Sequence, residues 1–275
     1  MKLKIIDRNL SHWVSSSIET PKYFEWTWIK SSDLKNTNDL CFVTDDFLSD
    51  PYPKEKEIIG WLLEPEGTNP HQYSYMRDNY EKFTKVLTYD KKLLELDSRF
   101  VFYPFGGCWI NEEDRVIHDK KKLISMIASN KNFGAIGHKL REEIRDRFPN
   151  RFDSFGRGIN DIGNKIVGLK EYMFSITVEN CQQDYYFSEK LIDTILTGTI
   201  PIYWGCPSIG DFFDIDGLIV FNTLDELENI LDNISPELYF EKINVIHKNF
   251  EIAKKYTLSE NWIYENTDII CAKNI

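Results

Sequence analysis

Six residues within one short stretch of the sequence have side chains suited to binding a charged, hydroxyl-bearing ligand. They are Glu179, Asn180, Tyr186, Ser188, Glu189 and Lys190. Carboxylate, amide and hydroxyl groups exchange hydrogen bonds with the hydroxyl groups of a sugar, and an ammonium group attracts phosphate. The chemistry that this set suggests is the binding of a nucleotide.

The elements around this set would place it at one edge of a sheet. The mostly apolar residues 173–178 predict a buried strand that ends just before Glu179, a helix is expected to begin near Ser188, and residues 199–204 predict a second strand. In open α/β sheets, ligands bind beyond the carboxyl ends of the strands. This strand-helix-strand unit therefore predicts a ligand crevice at its polar edge.

The same stretch resembles the signature of the α1,3-fucosyltransferases, glycosyltransferase family 10. That signature is Phe-Glu-Asn, a short loop, Tyr-x-Thr-Glu-Lys and a proline-containing strand that ends in glycine. The matching positions here are Glu179, Asn180, Tyr186, Ser188, Glu189, Lys190 and residues 199–205. Val178 stands where the family has phenylalanine, and Ser188 where it has threonine. The resemblance is strongest over residues 123–221.

The resemblance implies both a fold and an activity. The fold is α/β, of the GT-B type, with two Rossmann-like domains that face a cleft, the N-terminal one being small. The activity is the inverting transfer of fucose, or a related sugar, from a GDP-sugar to a hydroxyl group of a glycan acceptor. Two alternatives stay open: a non-catalytic protein that binds sugar nucleotides or glycans, and a transferase for a different donor sugar such as a heptose.

The resemblance also assigns roles to the residues of the motif. Lys190 would bind phosphate, and Glu189 would accept hydrogen bonds from ribose hydroxyls. Tyr186, Asn180 and Glu179 would line the same pocket. An ammonium group in the first turn of a helix adds positive charge where the leaving group becomes more negative. Without the surrounding motif, the Glu-Lys pair would be interpreted as an ordinary surface pair at a helix end.

A second phosphate contact is expected where a strand over residues 123–129 ends and a helix over residues 137–148 begins, because a helix start favours anions. The family has an arginine at the start of this helix, but the spacing of Leu140 and Ile144 places Gly137 there. Arg157 resembles the Gly-Arg that follows the next strand in the family. The candidates for the missing contact are His138, Lys139 and Arg141, and Ser129 and Arg157 are expected to contribute to the same donor pocket.

Glu64 is the candidate general base that would deprotonate the acceptor hydroxyl. It follows the predicted strand over residues 58–63 and precedes Pro65, so the chain must leave the sheet there. The base proposed for the family also follows a strand of the first domain, and the assignment rests on that position. Glu66 is the local rival, and a plain surface residue is the simpler interpretation. A single carboxylate suits an inverting reaction.

No cofactor and no metal ion are expected. Acidic pairs such as Asp45-Asp46 lie in ordinary loop contexts, and basic side chains with helix dipoles can balance a leaving diphosphate. The expected partners are a nucleotide-sugar donor and a glycan acceptor.

The sequence predicts two domains and a tail. Residues 1–115 would form an acceptor-side Rossmann-like domain, residues 116–265 a nucleotide-sugar-binding domain, and residues 266–275 the tail. The charged residues 111–122 are interpreted as the linker, and a solvated helix face is the alternative. In the first domain, short apolar runs predict strands over residues 3–6, 40–44, 58–63, 85–87 and 100–103.

The composition excludes some classes of protein. A net charge of −11 argues against nonspecific nucleic-acid binding, because there is no positive field to attract a polyanion. Apolar runs are far shorter than a membrane span. The expected location is cytoplasmic, at most peripheral to a membrane. The five dispersed cysteines predict reduced thiols rather than disulfides or a zinc site.

Overall fold

A computed structural model describes residues 1–8, 15–36, 40–104, 106–130 and 134–270. The chain divides into two compact units. The first contains residues 1–107, residues 184–186 and the chain from Leu258 onward, and the second contains residues 108–183 and 187–257. The division therefore falls at Gly107–Cys108, ahead of the predicted boundary at residue 115.

The first unit is built on a parallel sheet of six strands. The strands are β1 (Lys2–Ile6), β2 (Glu25–Trp28), β3 (Cys41–Thr44), β4 (Ile58–Trp61), β5 (Lys85–Thr88) and β6 (Phe100–Phe102). Their spatial order is β2-β1-β3-β4-β5-β6, so the direction of winding reverses between β1 and β3. The strand alternation predicted from the sequence is confirmed, with β2 as an additional strand at the edge.

The second unit is built on a parallel sheet of five strands. The strands are β7 (Lys122–Ile127), β8 (Asp153–Phe155), β9 (Tyr172–Val178), β10 (Ile200–Trp204) and β11 (Ile219–Val220). Their spatial order is β11-β10-β9-β7-β8, and the winding reverses between β7 and β9. All residues of β9 are buried, as expected for a central parallel strand covered on both faces.

Helices cover these sheets and complete the two hydrophobic cores. Within the described residues, the α-helices are α1 (Pro70–Asn79), α2 (Lys91–Leu96), α3 (Ile136–Arg147), α4 (Glu189–Ile195), α5 (Leu224–Asn233), α6 (Pro236–Glu241), α7 (Ile243–Ala253) and α8 (Ser259–Asn266). Helix α3 supplies Ile144 to the core of the second unit, and α4 supplies Leu191 and Ile192. These two helices position the polar residues at the carboxyl ends of the strands.

Residues 258–270 belong to the first unit. Ile263 of α8 and the following Ile270 are buried in the core that also contains Ile5 and Trp61. Glu260, also on α8, is completely buried and accepts hydrogen bonds from the amide and hydroxyl groups of Ser16, both at 2.6 Å. Residues 271–275, with Cys271, lie outside the described residues.

The charged residues 111–122, which the sequence analysis interprets as the linker, include one lysine that is not solvated, Lys120. Its side chain is buried, and its ammonium group donates to the carbonyl oxygens of Leu169, Lys170 and Thr197 and to the hydroxyl of Thr199. Burial lowers the pKa of Lys120 to about 7. The charged run therefore supplies a buried polar anchor for the second unit, because a lysine that finds several oxygen acceptors can leave water.

Cys41, Cys108, Cys181 and Cys206 are buried and form no disulfide bonds among the described residues, as expected for reduced thiols. Within the described part of the chain, no helix combines the length and the apolar composition needed to cross a bilayer.

Candidate functional site

A cavity of about 350 Å³ opens in the second unit beyond the carboxyl ends of β7 and β9. These two strands are the neighbours between which the winding of the sheet reverses, and α/β sheets of this order bind ligands at that point. Its volume lies within the usual range for small-molecule sites. The predicted site residues that line it are Ser129, Arg141, Arg157, Glu189 and Lys190.

Glu189 and Lys190 reach the cavity because α4 begins at its wall. Ser188 caps the helix, since its hydroxyl oxygen accepts a hydrogen bond from the Lys190 amide. The Lys190 ammonium lies 3.0 Å from the Ser188 hydroxyl and 3.6 Å from Glu189 Oε1. About a quarter of the Lys190 side chain is exposed. Because the cap occupies an N–H group of this short helix, the Lys190 ammonium group supplies the positive charge at the start of α4.

Lys165 and Asp193 complete a charged network that the sequence analysis missed. The Lys165 ammonium lies 2.7 Å from Asp193 Oδ2 and 3.5 Å from Glu189 Oε1, and all three residues line the cavity. Asp193 also accepts a hydrogen bond of 2.6 Å from the Trp109 amide. Asp193 lies one helical turn after Glu189, so the sequence could have predicted that both residues lie on the same face of α4. Nothing in the sequence links Lys165 to α4.

The network fixes the charge state of Glu189. Burial of the Glu189 carboxyl opposes ionisation, but the Lys190 and Lys165 ammonium groups outweigh it and leave its pKa at about 2. Glu189 is therefore a carboxylate at neutral pH and can only accept hydrogen bonds. Burial raises the pKa of Asp193, and Lys165 opposes that rise.

Glu179 lies behind the cavity rather than on its surface. Its side chain is completely buried, and its carboxylate accepts hydrogen bonds from the Ser188 amide at 2.8 Å and the Ser188 hydroxyl at 2.5 Å. The Lys190 ammonium lies 3.6 Å from the same carboxylate. Glu179 therefore ties the end of β9 to the start of α4, which positions Glu189 and Lys190.

Gly137 stands where the family resemblance places an arginine, and the packing explains why it is glycine. A Cβ atom at this position would lie 1.8 Å from the Glu179 carbonyl oxygen, far inside van der Waals contact. The Gly137 amide donates to the Asn180 carbonyl oxygen at 2.9 Å. The start of α3 is thus packed directly on the end of the Glu-Asn motif and has no room for a side chain.

Arg141, one turn into α3, lines the cavity and also forms hydrogen bonds that hold the end of β9. Its Nε and Nη2 atoms donate to the Val178 carbonyl oxygen at 3.1 and 2.6 Å, and Nη2 also donates to Asn180 Oδ1 at 3.1 Å. Asn180 is therefore held by α3 and is not among the residues that line the cavity. Both residues stabilise the motif from behind.

The remaining candidates of the second unit have different surroundings. Arg157 is exposed and Ser129 is half-buried, and both line the cavity. His138 is half-buried outside the lining. Burial lowers the pKa of His138, and the charges of Arg141 and Lys190 lower it further, so the imidazole is neutral at pH 7.

Two predicted residues, Glu64 and Tyr186, belong to the first unit. Glu64 follows β4, and its side chain is half-buried. Tyr186 is almost fully buried and packs against the ring of Tyr89, with 5.3 Å between the ring centroids. Tyr186 is therefore a core residue of the first unit and is not among the residues that line the cavity of the second.

The comparisons with known proteins assign the chain to a family. Residues 117–268, more than half of the chain, match the family described as glycosyltransferase family 10 (fucosyltransferase) C-term. The chain belongs to this family. The match includes β7 to β11, so the cavity of this family 10 protein lies inside the family region.

Curated relatives support the assignment over shorter stretches. The chain is 30% identical over 135 residues to "Alpha-(1,3)-fucosyltransferase FucT" of Helicobacter pylori, which covers 46% of this chain and 26% of the relative. It is 30% identical over 88 residues to "Alpha-(1,3)-fucosyltransferase B" of Drosophila melanogaster, which covers 32% of this chain and 18% of the relative. These matches span no more than about a quarter of either relative's length.

Solved structures agree on the fold. A crystal structure of an alpha1,3-fucosyltransferase with GDP superposes with a TM-score of 0.56 at 18% identity, covering 94% of this chain and 92% of that one. A second, with GDP-fucose, gives a TM-score of 0.52 at 19% identity and covers 82% and 72%. This family 10 protein has two parallel sheets covered by helices, and its fold is similar to that of the solved fucosyltransferases. The predicted fold class, α/β of the GT-B type, is therefore confirmed.

Proposed function

We propose that this protein is an inverting fucosyltransferase that transfers fucose from GDP-fucose to a hydroxyl group of a glycan. The observation that carries the proposal is the cavity at the reversal point between β7 and β9, which an ionised Glu189 and the ammonium groups of Lys190 and Lys165 border. Membership of family 10 supports it. The related structures that contain GDP and GDP-fucose indicate the class of donor to test first.

The charges that line the cavity suit a nucleoside diphosphate. Glu189 would accept hydrogen bonds from the ribose hydroxyls, because it has only acceptor oxygens at neutral pH. Lys190 would stabilise the diphosphate as negative charge develops on the leaving group. Arg157 is exposed at the cavity and offers a planar guanidinium group to a second phosphate.

Glu64 would act as the general base from the first unit. The proposal rests on its position, the third residue after β4, at the carboxyl end of the sheet, and on the need for one carboxylate in an inverting transfer. The acceptor would be a glycan hydroxyl, which loses its proton to this carboxylate as it attacks the sugar.

We further propose that the transfer needs no metal ion. Cationic side chains border the cavity where the diphosphate would lie. Among the described residues, no group of three or more His, Cys, Asp or Glu side chains could hold a metal ion. Transfer measured with and without EDTA tests this directly, and a loss of activity that Mn²⁺ restores would contradict it.

Donor binding is tested by calorimetry with GDP. Lys190→Ala should weaken GDP binding by roughly tenfold to a hundredfold, because a charged hydrogen bond to phosphate is removed. The matched control is Lys170→Ala, which removes an exposed ammonium group outside the cavity lining and should bind GDP like the parent. Equal affinity of Lys190→Ala and the parent for GDP would refute the pocket assignment.

Catalysis is tested by transfer of radiolabelled fucose from GDP-fucose to a panel of oligosaccharides. Glu64→Gln should abolish transfer while GDP affinity stays at the parental value, since the amide cannot accept the proton. If the parent binds GDP but transfers no sugar to any acceptor, a non-catalytic binding protein becomes the better description.

A further inference from the structure

Asp45 has a backbone conformation that aspartate rarely adopts. It is the first residue after β3, its φ angle is +31°, and its side chain is almost completely buried. A non-glycine residue with positive φ is strained, and such strain persists only where the surrounding structure holds it in place. The strain directs attention to what the Asp45 carboxylate contacts.

The Asp45 carboxylate accepts hydrogen bonds from the backbone that carries Glu64. Oδ1 lies 2.9 Å from the Leu63 amide nitrogen and 3.4 Å from that of Glu64, and Oδ2 lies 3.2 Å from the Glu64 amide nitrogen. The last paired residues of strands β3 and β4 are Thr44 and Trp61. Asp45 therefore lies at the point where the segment after β4 leaves the sheet. Both oxygens of this carboxylate therefore contact the segment after β4.

The opposite side of the same segment is also fixed. The Tyr89 hydroxyl donates to the Leu63 carbonyl oxygen, and the Tyr73 hydroxyl donates to the Glu64 carbonyl oxygen, both at 3.1 Å. Tyr73 and Tyr89 are fully buried. The amide and carbonyl groups of Leu63 and Glu64 are thus bonded by three side chains from separate parts of the first unit.

We propose that Asp45 is a positioning residue that holds Glu64 in the orientation required for proton abstraction. This inference rests on the proposed role of Glu64 as the general base. A loop residue without such contacts would rotate about its backbone, and small displacements of a catalytic group reduce the rate strongly. The carboxylate of Asp45 removes that freedom, and the strained backbone of Asp45 is the conformation that aims it.

Asp45→Asn is the variant that tests the inference. Asparagine has the size of aspartate and tolerates positive φ. Its NH₂ group replaces one of the two carboxylate oxygens and cannot accept the hydrogen bond from a backbone N–H that this oxygen accepted. We expect kcat for fucose transfer to fall by roughly tenfold to a hundredfold. The KM for GDP-fucose should stay within about twofold, because donor binding is assigned to the second unit.

The matched control is Asp46→Asn. Asp46 is the next residue along the chain, its side chain is exposed, and its carboxylate contacts Arg8 at 3.5 Å. This variant should keep the parental kcat and KM. If Asp46→Asn lowers kcat as much as Asp45→Asn does, a general effect of charge in this loop replaces the positioning role.

Failure of this inference is distinguishable from failure of the proposed function. If Glu64→Gln turns over like the parent, the base assignment itself is wrong. If Glu64→Gln is inactive while Asp45→Asn keeps the parental kcat, Glu64 remains the base and the role of Asp45 is overturned. A parallel rise in KM for GDP-fucose would also overturn it, because that result indicates a global structural defect.

Hydrogen exchange on the parent protein provides a measurement that does not depend on a folded variant. The Leu63 and Glu64 amides should exchange slowly, since both donate to a buried carboxylate. If they exchange as fast as amides of an exposed loop, Asp45 does not hold this segment, and the inference is overturned whatever the variants do.

Discussion

Replacing Lys165 with methionine should destabilise the second unit more than most single substitutions. The Lys165 ammonium lies 2.7 Å from Asp193, whose side chain is only 1% exposed. Methionine keeps the apolar stem of lysine but removes the ion-pair partner of the buried Asp193 carboxylate, which still accepts a hydrogen bond from the Trp109 amide. Removing one partner of a buried ion pair costs about 3–5 kcal/mol, whereas a typical surface ion pair contributes less than about 1 kcal/mol.

The size of this effect can be separated from the loss of lysine packing with a second substitution. In Lys165→Met/Asp193→Asn, the neutral amide oxygen of residue 193 can still accept the Trp109 N–H, and no unpaired charge remains. The double variant should therefore recover most of the stability that the single variant loses. Urea unfolding of the parent, both single variants and the double variant measures the coupling between the two residues.

The pH dependence of the single variant gives an independent check. Burial already raises the pKa of Asp193 in the folded protein, and loss of Lys165 would raise that pKa further. The folded state then binds more protons than the unfolded state between about pH 4, the ordinary aspartate value, and the raised pKa. The stability deficit of Lys165→Met relative to the parent should thus be full above the raised Asp193 pKa of the variant and shrink as the pH falls below that pKa.

Two results would refute this reasoning. If Lys165→Met loses less than about 1 kcal/mol, the pair behaves as a solvated surface pair. If the double variant is as unstable as the single variant, the loss comes from packing rather than from an unpaired Asp193 carboxylate.

Three further predictions concern the fold. Gly137→Ala should lower the melting temperature and weaken GDP binding, because its Cβ would meet the Glu179 carbonyl oxygen at 1.8 Å, whereas Gly210→Ala, with open space around its Cβ, should melt like the parent. Lys120 has a folded-state pKa lowered by burial to about 7, so its unfolded state binds more protons between about pH 7 and 10.4. Stability should rise across that window in the parent and stay flatter in Lys120→Met, as urea midpoints at each pH would reveal. Burial raises the pKa of Glu260 to about 7, so its contribution to stability should fall as the pH rises from about 4.3 to 7 and be absent in Glu260→Gln; identical pH profiles of variant and parent would contradict this.

Local patterns in the sequence predicted much of the second unit. The apolar run that became β9 is buried along its whole length, and α4 begins directly after Ser188, close to where the sequence predicted a helix start. These features depend on neighbours within a few residues, so composition and spacing are enough to find them. The edge strand β2 was missed, because an exposed edge strand needs no long apolar run.

The assignment of individual side chains was less predictable. Glu179 and Tyr186 belong to the motif, yet one is buried behind the cavity and the other in the core of the first unit. The sequence marks a conspicuous set of polar residues but does not tell which of them face solvent. That difference depends on the turn after β9, whose path is fixed by contacts with residues far away in the sequence.

The sequence by itself determined the family, the α/β class and the position of the Glu-Lys pair at the start of α4, because these follow from short-range order and periodicity. Only the tertiary structure decided that Lys165 joins Glu189, that Gly137 leaves no room for a side chain against the Glu179 carbonyl, and that Asp45 holds the segment of Glu64. Each of these contacts joins separate parts of the chain, between 19 and 42 positions apart. Their distances are set by how the strands pair and the helices pack, and a linear sequence does not record those distances.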